Sequence, residues 1–61
     1  MNRIIKILME RDGLSRSEAE VHFSEVKQEV TALVADGFYD YAEYVFEHDL
    51  GLELDYIIYM I

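Results

Sequence analysis

The chain has 61 residues, a net charge of −8, no cysteine and no proline, with 52% apolar and 30% charged residues. That length allows one domain with one modest core, burying only about 60% of the unfolded surface, and the apolar content excludes intrinsic disorder. Without cysteine there is neither a disulfide staple nor a thiolate metal site, and no apolar run approaches the roughly 20 residues of a membrane span.

Residues Asn2–Asp12 place Ile4, Ile5 and Leu8 at helical spacing, with Ile7 and Met9 adding apolar surface on other sides. Asn2 suits an N-cap and Gly13 a left-handed C-terminal residue, which predicts a short first helix. Leu14 is placed to staple onto the first turn of the next helix near Ala19.

The stretch Ser15–Gly37 is the longest predicted element, and the rest of the chain is expected to pack on it. Ser15 and Glu18 form the S-x-x-E pattern of a reciprocal capping box, so the helix is expected to begin at Arg16. Ala19, Phe23, Val26, Val30 and Leu33 recur at steps of four and three along one side. Gly37 supplies the stop.

Asp40-Tyr41-Ala42-Glu43 reads as a second N-cap with its partner, predicting a third helix from Tyr41 to about Leu50. Ala42, Val45 and Phe46 form its apolar side, with Tyr41 at the margin, and Gly51 follows its end. In the last stretch Leu54, Ile57, Ile58 and Ile61 fall at α-helical spacing, and Asp55 suits the positive end of a helix dipole. The predicted fold is therefore all-α: a single domain, residues 1–61, of about four helices around one long helix. Both chain ends, IIKILM and YIIYMI, are unusually apolar, and a homodimer through these terminal segments is expected.

Charge is divided unevenly. Residues 1–27 hold all five basic side chains, Arg3, Lys6, Arg11, Arg16 and Lys27, against five acids. From Gln28 onwards there are eight acids, Glu29, Asp36, Asp40, Glu43, Glu47, Asp49, Glu53 and Asp55, and no Lys or Arg. Direct nucleic-acid binding is disfavoured, because the counterion-release term needs clustered cations. A protein partner with a basic surface fits instead.

The candidate partner-binding residues are Asp36, Tyr39, Asp40, Glu43, Tyr44 and Glu47. Asp36, Asp40, Glu43 and Glu47 step by four, three and four, which forms a carboxylate column wherever the backbone is helical, and tyrosines lie among them. Such a surface can imitate the charge of a nucleic acid, or it can be the solvated side of an acidic helix. Tyrosine adds contact area while keeping a polar tip.

Enzyme chemistry has little support. Paired catalytic carboxylates need a cleft with one pKa raised by burial, and these acids fall at predicted exposed positions. His22 and His48 yield only a generic i,i+4 pairing of Glu18 with His22, so no metal ligands and no cofactor are assigned. Neither G-x-S-x-G nor a glycine-rich phosphate loop occurs.

The order G-L-S-R-S-E-A-E at 13–20, D-G-F-Y-D-Y-A-E at 36–43 and L-G-L-E-L-D-Y-I at 50–57 resembles short acidic helical proteins encoded by bacterial prophages and phages. Where that pattern often has Pro before its final Asp-Tyr pair, this chain has Leu54. The group carries no assigned activity, so no residue role transfers. The resemblance implies a mobile-element origin and a non-enzymatic interaction role, as an inhibitor or adaptor. The alternative is a self-assembling component of a phage particle or complex. A cytoplasmic location is expected, since the N-terminus has no apolar segment followed by a small-residue cleavage site.

Overall fold

A computed structural model describes all 61 residues as four helical elements without strands: α1 (Arg3–Asp12), α2 (Arg16–Ala35), α3 (Tyr39–Leu50) and a 3₁₀ helix (Leu54–Tyr59). Each of the first two helices begins where a side chain satisfies a free amide. The Asn2 side chain accepts from the Ile4 N–H at 2.8 Å, which leaves α1 to start at Arg3. Ser15 Oγ accepts from the Glu18 N–H at 3.1 Å while the Glu18 carboxylate accepts from the Ser15 N–H at 2.9 Å. The capping box is complete.

The end of α2 is a Schellman turn. Phe38 N–H donates to the Leu33 carbonyl and Gly37 N–H to Val34, with Gly37 at φ +83°; only glycine adopts that conformation freely. This turn corrects the expected start of the third helix. Phe38 leaves the turn with its carbonyl already accepting from Ala42 N–H, so α3 begins at Tyr39 and no extended residue remains for an aspartate cap. Asp40 is in the first helical turn, and the N-terminus of α3 has no side-chain cap. Its carboxylate acts only through the dipole.

The core consists of Ile4 and Leu8 from α1, Ala19, Val26 and Val30 from α2, Ala42, Val45, Phe46 and Leu50 from α3, and Met60. Phe23 and Leu33 of the α2 stripe are half-buried against it. Length accounts for the partial cover of Leu33: α1 has 10 residues and α2 has 20. At 1.5 Å per residue, α1 spans about half of α2, so the far half of α2 is covered by α3 without help from α1. Val34 and Phe38 are exposed there.

The final stretch departs from the α-helical expectation. Leu54–Tyr59 is 3₁₀, three residues per turn. That period aligns Leu54, Ile57 and Met60 towards the core, whereas Ile58 and Ile61, which an α-helical spacing would bury, are exposed. The segment is short, has no side-chain cap and is rich in β-branched residues, so α-helix has little intrinsic advantage over the tighter winding.

The two apolar ends meet each other. The 3₁₀ helix returns along α1, the Asn2 amide donates to the Tyr59 carbonyl at 2.6 Å, and the Arg3 guanidinium lies 6.0 Å from the Tyr59 ring centre. Met1, Ile58 and Ile61 stay exposed. The accessible surface of 4162 Å² matches the roughly 4,100 Å² of a typical monomer of this mass, so area alone does not demand a second copy. No helix is long and apolar enough to cross a membrane.

Candidate functional site

The outward side of α3 is fixed by what its inward side buries. Ala42, Val45, Phe46 and Leu50 face the core, and residues one position before or after them are turned about 100° away. Asp40, Glu43 and Glu47 fall on one outer shoulder, all exposed. None of these three makes an ion pair or a side-chain hydrogen bond. Asp36 caps the end of α2, and the left-handed Gly37 separates it from the helical register of the other three. The column is Asp40, Glu43 and Glu47.

On the other outer shoulder, Tyr41, Tyr44 and His48 form a ladder. Tyr41 and Tyr44 stack with ring centres 6.1 Å apart and planes within 15°, and Tyr44 and His48 stack at 5.3 Å and 20°. Both tyrosines are 56% exposed. Of these three, Tyr44 is among the candidate partner-binding residues, whereas Tyr41 was expected at the margin of the apolar side and His48 was assigned no binding role. Their spacing of three and four was the available signal. Tyr39 is exposed and lines a shallow open depression with Gly37, Phe38, Asp40 and Tyr41.

The end of α3 is held from the first half of the chain. Arg11 donates to the Leu50 carbonyl at 2.6 Å and to the Gly51 carbonyl at 2.9 Å, two oxygens that helix termination leaves free. Gly51 has φ +65°, and a Cβ there would stand 3.3 Å from Arg11 Nη1. The Arg11 guanidinium also donates from Nε and Nη2 to both oxygens of Asp12. That hydrogen bond, with the adjacent charge, pulls the Asp12 carboxyl below its ordinary pKa and raises that of Arg11. His22 Nε2 lies 3.0 Å from the Asp49 carbonyl, and His48 Nδ1 lies 3.2 Å from Asp49 Oδ1. Glu18 titrates below its usual range because it accepts hydrogen bonds from Ser15.

The arrangement is an exposed face of carboxylates and aromatic rings. No group of three His, Asp or Glu side chains is placed to hold a metal ion. Comparison with family models, curated proteins and solved structures finds no match.

Proposed function

We propose that this chain is a non-enzymatic protein-binding module that presents the acidic, tyrosine-bearing face of α3 to a partner with a basic surface. One observation carries this reading: all eight acids after Lys27 lack an ion pair with Lys or Arg. Unpaired carboxylates concentrated in one half of the chain produce a field that attracts a cationic surface and speeds its encounter. The role fits an inhibitor or adaptor of the phage or prophage type.

Capture from a bacterial lysate tests it, using the tagged chain and its Glu43→Lys/Glu47→Lys variant at low and high salt. A basic protein retained by the parent at low salt, released at high salt and lost by the variant is the expected result. Retention indifferent to both salt and charge reversal would remove the acidic-face reading.

A second reading, a self-assembling component or a homodimer through the terminal segments, is favoured by exposed Met1, Ile58 and Ile61. Sedimentation across a hundredfold concentration range separates the two. Assembly predicts growth in mass that Ile58→Ser abolishes, whereas a constant monomer mass removes this second reading.

A further inference from the structure

The outward side of α3 repeats one unit three times, a carboxylate followed by a ring: Asp40-Tyr41, Glu43-Tyr44 and Glu47-His48. The rings form the stacked ladder, and the carboxylates beside them have no cation of their own. From this repetition we propose that the face receives a helix of the partner bearing arginines three and four residues apart, each guanidinium lying against a ring and donating to the neighbouring carboxylate. The inference rests on the reading of α3 as the partner-binding face and specifies that partner's chemistry.

Arginine is favoured over lysine by the presence of rings. A guanidinium is planar, weakly hydrated and able to stack on an aromatic surface while its N–H groups fork onto a carboxylate. An ammonium is a compact, strongly hydrated charge, which the carboxylates alone would serve equally well.

Spacing favours a helix. The three units lie about 4.5 and 6 Å apart along α3, the same intervals that separate residues three and four apart on another helix. Same-side residues of an extended strand recur every 6.6–6.8 Å or so. By the third unit a strand would have drifted by roughly 3 Å, about half a spacing.

Three fluorescein-labelled, alanine-based helical peptides of equal charge test this. One carries arginines at i, i+3 and i+7, one carries lysines at those positions, and one carries the same arginines scattered round the helix. Affinity is read by anisotropy against the parent chain, Tyr41→Leu/Tyr44→Leu and Glu43→Gln/Glu47→Gln, with circular dichroism checking that the variants fold.

The aligned arginine peptide should bind the parent roughly fivefold or more tightly than the lysine peptide, and more tightly than the scattered one. The arginine-to-lysine ratio should fall towards one in the tyrosine variant, and the glutamine variant should weaken both peptides. Equal affinity for arginine and lysine, or a ratio unchanged without the tyrosines, would overturn the arginine assignment and leave a basic partner standing. Equal affinity for the aligned and scattered arginines would overturn the helical assignment. Failure of every peptide to bind at low salt would remove the acidic-face reading together with this inference.

Discussion

The two halves of this chain are built on different principles. The first half carries every Lys and Arg and both side-chain helix caps. The second half has neither a side-chain cap at its helix starts nor a Lys or Arg partner for its acids. Every long-range side-chain hydrogen bond crosses between them in one sense, from a first-half side chain to a second-half carbonyl: Asn2 to Tyr59, Arg11 to Leu50 and Gly51, and His22 to Asp49. The second half is thus anchored through its backbone and its buried apolar residues. Its acidic side chains form no ion pair with Lys or Arg; within the fold Asp49 meets His48 at 3.2 Å and Asp40 acts through the α3 dipole. Glu43 and Glu47, which make no ion pair or side-chain hydrogen bond within the fold, are free to meet another molecule.

The sharpest way to break the comparison is to remove what the second half contributes inwardly. Phe46 is fully buried, and Phe46→Ala should cost about 3–5 kcal/mol, enough to unfold a small domain; a surviving cooperative melt would show that α3 is not anchored through its core face. Phe23→Ala, at a half-buried position, should cost roughly half as much on the same scale.

Next in size is the anchor itself. Arg11→Met removes two hydrogen bonds to helix-end carbonyls and should cost about 1–2 kcal/mol, discounted because the guanidinium is partly exposed. Hydrogen exchange should show the amides at the end of α3 losing protection before those of α2. Uniform loss across all helices would contradict the anchoring role.

The caps provide a paired test. Ser15→Ala should cost about 1 kcal/mol and Asp40→Ala only a few tenths, because Asp40 interacts with the dipole without capping. Equal losses in urea melts would erase the distinction between the two helix starts.

Titration adds a direction. The Asp12 and Glu18 carboxyls are depressed below their ordinary values of 3.8 and 4.5, so their contribution is fully present above about pH 4.5 and is lost as pH falls through the lower folded-state values. Thermal melts should weaken progressively below that point. In Glu18→Gln the part due to Glu18 should disappear, whereas Ser15→Ala should only reduce it, because the Ser15 backbone N–H still donates to the Glu18 carboxylate.

What could be read from the sequence was whatever is settled locally. Asn2, Ser15 with Glu18, and the glycines at 13, 37 and 51 mark helix ends through contacts within a few residues, and the structure places the ends of α1 and α2 accordingly. The start of α3 was misread because Asp40 has a cap's spacing, while the Schellman turn before it consumes the residue a cap would need. The winding of Leu54–Tyr59 was illegible for a related reason. Three and 3.6 residues per turn differ little over so short a segment, and packing along α1 selects between them. The crossing hydrogen bonds had no sequence signature, since their acceptors are backbone carbonyls.

The candidate site divides similarly. Glu43, Tyr44 and Glu47 follow from helical spacing alone, and the structure places them together on the outer side of α3. Asp36 falls away because one glycine breaks the register. Tyr41 and His48 stack on Tyr44 across successive turns, at the three- and four-residue spacing that brings side chains together on a helix.

The smallest expected effect tests the central claim most directly. Thermal melts by circular dichroism should compare the parent chain with Glu43→Gln/Glu47→Gln at low salt. The account predicts a midpoint equal to or slightly above that of the parent, since removing two unpaired charges from a chain of net charge −8 relieves repulsion and breaks no contact. A fall of about 4–8 °C, corresponding to roughly 1 kcal/mol in a domain of this size, would contradict it, for those carboxylates would then be holding the fold.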